Sequence, residues 1–128
     1  MHAVIAICLG ACLGALARWQ LGTWLNQPGA WLPWGTLAAN LIGGYLVGIC
    51  VAIFHHHPGL DPLWRLVLIT GFLGALTTFS SFSAEVVDML LQHRYLQAAS
   101  SVILQVAGSL LMTVAGLKTA LAFLIKQS

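Results

Sequence analysis

An all-α integral membrane protein, with four transmembrane helices and a break in the third, is the fold class this 128-residue sequence predicts. Three observations lead there. Charged residues make up 6% of the chain and apolar ones 59%. A soluble domain carries about a quarter charged residues, so this chain has too few to cover a water-facing surface. Four stretches, at about 3–25, 34–54, 63–91 and 98–124, are long and apolar enough to span a bilayer, for which roughly 20 residues suffice. The third of them packs two threonines, three serines, two phenylalanines and a glutamate into nine residues, Thr77 to Glu85. A plain lipid-facing helix has no use for that polarity.

The four spans are expected to form a single membrane domain, 1–128, with no long linker and no low-complexity tract. Met1 to Ala17 is apolar and ends in "ALA", two features of a signal peptide. It lacks a basic leading region, however, and more apolar segments follow, so it is expected to stay as the first span. The separators carry turn chemistry: "NQPGAWLP" (Asn26 to Pro33), "HHHPGLDP" (His55 to Pro62) and "QHRY" (Gln92 to Tyr95). Trp24, Trp31, Trp34, Trp64 and Tyr95 fall near the span ends, where amphipathic rings prefer to sit. A formal charge of +2, scattered along the chain, excludes a nucleic-acid surface. Cys8, Cys12 and Cys50 lie in apolar runs without His or carboxylate neighbours and are expected to be small packing residues. Three adjacent histidines, His55 to His57, cannot all face one metal on a helix and are expected to be an ordinary interfacial loop.

In the first span Gly10 and Gly14 lie four apart, a spacing that lets helices approach closely in lipid. Arg18 continues their face one turn later. A guanidinium within a span is costly and faces protein or water, so Arg18 either anchors structure through backbone carbonyls or gives a vestibule positive potential. The second span repeats the four-residue spacing with Thr36, Asn40, Gly44 and Gly48. Asn40 must be hydrogen-bonded to be tolerated there, either to a neighbouring helix or, the preferred reading, as a donor facing a pore.

The third span is too long for a simple crossing, and Gly71, Gly74, Thr77 and Thr78 weaken helix in its middle. Irregular backbone at membrane depth is tolerated only where protein buries it or where it lines a cavity. Unwound carbonyls there coordinate cations, and half-helix N-termini attract anions. Phe79 and Phe82, three apart, are expected to share a face with Glu85 on a half-helix starting near Phe79. Ring edges carry partial positive charge and could meet a small anion; ring faces would attract a cation. Glu85 is an intramembrane carboxylate and so a functional candidate, whereas Asp88 lies nearer the interface. The fourth span carries Ser101, Gln105, Ser109 and Thr113, each four apart, a ladder that suits either a solute track or interhelical contacts.

Four spans put both termini on one side, with the His55–Pro62 loop. That side holds Arg65, Lys126 and, near its span end, Lys118; the other holds Arg94 and, nearer to it, Arg18. Lys/Arg asymmetry sets orientation, and three against two is almost none, so the chain is expected to insert both ways and pair as an antiparallel, dual-topology homodimer.

These motifs together resemble the Fluc/CrcB family of fluoride channels over nearly the full chain. "GACLGALARW" (Gly10 to Trp19), "WGTLAANLIGGYLVG" (Trp34 to Gly48) and "GFLGALTTFSSFSAE" (Gly71 to Glu85) look like its first-, second- and third-helix signatures. The resemblance implies a dual-topology homodimer with two antiparallel pores and a structural sodium ion at the dimer interface. It implies Asn40 as the pore asparagine, Phe79 and Phe82 as an aromatic box, and Ser80 as a hydroxyl beside the path. Ser101, Ser109 and Thr113 match the polar track of the fourth helix. Gly74 and Thr77 match the positions whose carbonyls hold sodium, and Arg18 and Glu85 match structural and vestibule positions. Gln105 matches no fixed residue of the pattern. The implied function is passive fluoride export across the plasma membrane, the inner membrane of a bacterium, with no enzymatic activity. The alternative is a small proton-coupled exporter of cationic drugs. Such exporters rely on an acidic residue in the first helix, where this chain has Arg18 and no acid.

Overall fold

The structure, a computed structural model, describes residues 1–126, and every regular element among them is helical. The first helix, His2–Leu25, stops at Asn26, where Pro28 and Gly29 (φ 79°) turn the chain. Asn26 secures that turn by accepting the Gly35 N–H at 2.6 Å. The second helix, Trp34–His56, starts after Pro33 and ends before Pro58. Proline supports a helix start and resists continuation, so both boundaries are local in origin.

The third span, Pro62–Leu91, is composite. Asp61 caps its start through the Leu63 N–H at 2.9 Å, with Pro62 in the first turn. An α-turn, Pro62–Arg65, leads into π-winding over Leu66–Leu73 and a last α-turn, Gly74–Leu76. Thr77 and Thr78 are extended, and a second half-helix runs over Phe79–Leu91. The break therefore lies at the two threonines, as the sequence suggested; the π-winding before it left no sequence signature. After a tight turn in which His93 takes the left-handed conformation (φ 58°), the fourth helix covers Tyr95–Ile125. Its 31 residues make it roughly 46 Å long, more than the ~30 Å hydrocarbon core, so it crosses tilted or projects beyond it.

Four helices are long and apolar enough to cross a membrane. The second helix packs extensively on the fourth, and the first packs mainly on the leading half of the third. Two glycines permit these approaches. A Cβ at Gly14 would run into the Phe72 carbonyl oxygen, and one at Gly48 into that of Thr113. The small-residue stripes of the first two helices are thus contact seams. The outer faces carry Leu9, Leu13, Trp19, Leu110, Leu111 and Phe123, all well exposed. Lipid is the solvent that suits such a surface.

Candidate functional site

The break is shaped by where its hydrogen bonds go. Thr77 (φ −76°, ψ 151°) still closes the leading half. Its N–H and its hydroxyl both donate to the Leu73 carbonyl, at 3.0 and 2.9 Å. In an unbroken helix the Thr78 N–H would bond to the Gly74 carbonyl. Here Thr78 is extended (φ −149°, ψ 112°), and its N–H donates instead to Asn40 Oδ1 at 2.7 Å. Asn40 Nδ2 donates back to the Thr78 carbonyl at 3.1 Å. One side-chain amide on the second helix thus satisfies both backbone groups of an extended residue where water is scarce. The Thr78 hydroxyl caps the trailing half by accepting the Ser81 N–H at 3.1 Å. The Gly74 carbonyl is left without its helical donor.

A groove of about 560 Å³ runs along this break between the second and fourth helices. Asn40, Gly74, Thr77, Phe79, Phe82, Gln105 and Ser109 all line it. The two phenyl rings meet edge-on, with centroids 5.5 Å apart and planes at 68°. Phe82 is buried at 7% exposure, whereas Phe79 stands 77% exposed in the single chain. The other residues singled out in the sequence lie elsewhere. Ser80 is exposed, with its hydroxyl 3.4 Å from that of Thr78. Ser101 is 1% exposed and its hydroxyl has no partner among the described residues. The Thr113 hydroxyl bonds back to the Ser109 carbonyl at 2.9 Å, the local bond that membrane serines and threonines often make. Residues four apart drift by about 40° per step around a helix, so the ladder from Ser101 to Thr113 turns too far to line one groove.

On the other side of Thr78 lies a second cavity of about 490 Å³, lined by Arg18, Thr36, Ser81 and Glu85 among others. Glu85 Oε1 accepts the Thr36 hydroxyl at 2.5 Å, and Oε2 is buried without a partner among the described residues. Glu85 also borders a cavity of about 320 Å³ under the Asn26–Pro33 turn, with Asp88 and Arg94. The expectation that Glu85 shares the phenylalanine face is corrected here. Steps of three residues turn back by about 60° each, so by Glu85 the side chain has rotated out of the groove. Thr78 alone of these polar residues lines both the groove and the Arg18 cavity.

Two partnerships went unread in the sequence. Thr36 binds Glu85, and Gln105 Oε1 accepts from Asn40 Nδ2 at 2.8 Å. The available signal was the register of polar residues on the second helix, whose Thr36 meets the trailing half of the third span and whose Asn40 meets the fourth helix. Which member meets which depends on the helix crossing, and no single stripe contains that information.

The groove is lined by aromatic rings, hydroxyl residues and amide residues, and ring edges, hydroxyls and amides are groups that can meet a small anion, as free backbone carbonyls can meet a hard cation. Residues 5–117 match the family described as CrcB-like protein, Camphor Resistance (CrcB). The fluoride-specific ion channel FluC of Albidiferax ferrireducens is 70% identical over 98% of this chain and 95% of its own length. The protein of the same description from Paracidovorax citrulli is 56% identical over 96% and 97%, and that from Variovorax paradoxus 58% over 91% and 92%.

Proposed function

The chain belongs to the CrcB family, and from that premise we infer that it is a fluoride-specific channel of the bacterial plasma membrane, a passive transporter and not an enzyme. The observation that carries this reading is the 70% identity to a fluoride-specific channel across nearly the whole of both chains. The biological logic is proton linkage: hydrogen fluoride enters neutral and ionises at the higher internal pH, and the membrane potential then drives the anion out.

Fluoride holds its water tightly, so a pore must replace that shell with several weak contacts without trapping the ion. The groove supports such a path. Phe79, Phe82 and Ser109 line it, and Asn40 keeps the break extended at its centre. Ser80, Ser101 and Thr113 extend the proposed path beyond the groove. Arg18 and Glu85, in the neighbouring cavity, form its vestibule.

The proposed assembly is an antiparallel, dual-topology homodimer with two pores. In its favour are the near-even split of basic residues between the two sides and a groove whose most exposed wall residue, Phe79, calls for cover by a second copy. A structural sodium ion at that interface fits the residues present. The Gly74 carbonyl lacks its helical donor, Thr77 lies beside it on the groove wall, and both stand at the negative end of a half-helix. Sodium would supply positive charge that holds two such breaks together.

The test is release of potassium fluoride from proteoliposomes, followed with a fluoride electrode after valinomycin is added. Rapid fluoride loss with negligible chloride loss from parallel vesicles is expected. No release from vesicles holding folded protein would overturn the reading.

A further inference from the structure

Beneath the Asn26–Pro33 turn, away from the groove, lies the cavity of about 320 Å³ whose charged wall residues are Glu85, Asp88 and Arg94. The turn above it is pinned. Asn26 accepts the Gly35 N–H at 2.6 Å, and Leu32, 2% exposed, packs against Met89 and Ala98. Arg94, immediately before the fourth helix, ties in the middle. Its Nε donates to Gln97 Oε1 at 2.6 Å, and its Nη2 reaches the carbonyl oxygens of Ala30 and Trp31 at 3.4 Å each. A pinned roof keeps the space beneath it open, and Asn26, Gln27, Glu85, Asp88 and Arg94 make its wall polar enough to hold water. Gln27, Pro28, Gly29 and Asp88 are exposed, at the end of the bundle where the spans stop. Asn26 and Glu85 belong to the wall of the Arg18 cavity as well, so the two spaces adjoin at these side chains.

We propose that the space beneath the Asn26–Pro33 turn is a second aqueous mouth of the vestibule, and that Arg94 is the residue that admits anions through it. Resting on the fluoride-channel reading above, it gives the ion an entry that Arg18 does not line. Charge makes Arg94 necessary there. With it the wall carries two carboxylates and one guanidinium; without it only the carboxylates remain, and fluoride would meet repulsion alone. Asp88, exposed at the rim, acts against Arg94 at the same mouth. A guanidinium offset in this way attracts an anion weakly, and weak attraction suits an entrance, because an ion held tightly there would not pass on.

The experiment records unitary fluoride currents in planar bilayers for the wild type, Arg94→Gln, Arg94→Lys, Asp88→Asn and Ala30→Phe. A unitary current counts only channels that have folded and assembled, so lost protein does not imitate a lost charge. At an ionic strength of about 0.1 M, where charges are felt over about 10 Å, Arg94→Gln is expected to conduct about twofold less and Asp88→Asn more than the wild type. Arg94→Lys keeps the charge and is expected to restore conduction. At about 1 M, reached with an impermeant sodium salt, screening shortens to about 3 Å and both charge effects should fade. Ala30→Phe fills the space without altering charge and is expected to conduct less at both ionic strengths. Wild-type currents in Arg94→Gln and Asp88→Asn would overturn the proposal, as would losses in both that ignore salt. Wild-type currents in Ala30→Phe would overturn it too, because the charges would then act from beside the path and not in it. If Arg94→Gln yields no channels, Asp88→Asn and Ala30→Phe decide between these outcomes. A wild type that carries no fluoride current would overturn the channel reading as well.

Discussion

Asn40 shows how one side chain can decide the state of a backbone. An extended residue in the middle of a membrane span needs partners for its N–H and its carbonyl, and the Asn40 amide supplies both for Thr78. Leaving such a group buried and unpaired costs about 1–3 kcal/mol. Asn40→Ala therefore exposes two backbone groups and Gln105 to that penalty at once. It is expected to lower the thermal unfolding midpoint in detergent clearly and to abolish fluoride flux. An Asn40→Ala protein as stable as the wild type would show that the break holds its shape without the amide. Residue chemistry was partly legible in the sequence. A lone amide in lipid must be bonded, and that much needed no structure. Its partners, Thr78 and Gln105, lie 38 and 65 positions away in the chain, and only folding brings them within reach.

Among the elements, the third span carries the specialisation. Its leading half ends with Thr77 bonded twice to Leu73, and its trailing half begins with a threonine cap. The eight π-wound residues before the break widen the helix and alter how its side chains are phased toward the first helix, as π-segments near functional sites commonly do. Loss of the cap should act mainly on the trailing half. Thr78→Ala is expected to cost about 1 kcal/mol, and Thr78→Ser to restore most of it, measured by thermal unfolding beside fluoride release. The glycine seams give a complementary prediction. Gly14→Val would drive a side chain into the Phe72 carbonyl and should destabilise by about 1–3 kcal/mol or more, as overpacking does. A Gly14→Val protein of wild-type stability would mean that the first helix can separate from the leading half without penalty. The existence of the break was readable from glycine and hydroxyl residues in an otherwise apolar run. The π-winding was not, because Leu66 to Leu73 has a composition that any membrane helix tolerates.

At the scale of the whole molecule, orientation is set by very few charges. With three basic residues on one side and two on the other, small additions should fix the insertion direction. A variant with His55→Lys and His57→Lys, and a second with Gln92→Lys and Gln97→Lys, place positive charge at opposite ends of the bundle. Each alone is expected to insert one way and release no fluoride, and the two expressed together to recover release. Full activity of either alone would rule out an antiparallel pair. The open groove bears on the same assembly. In the proposed antiparallel pair a second copy would close the open side of the groove, where Phe79 stands exposed.

The sequence by itself determined the class of molecule. Scarce charge forces it into lipid, four apolar runs fix the number of crossings, and a polar cluster in the third places the break. These are local properties, written in composition and spacing. Only the tertiary structure decided which polar groups meet. It set Thr36 against Glu85, closed the Asn40 amide on Thr78 and Gln105, and sorted the fourth-helix ladder into members inside and outside the groove. The reason is geometric. A helix turns about 100° per residue, so a stripe drifts around its axis, and where two drifting stripes coincide depends on the crossing of the helices that carry them.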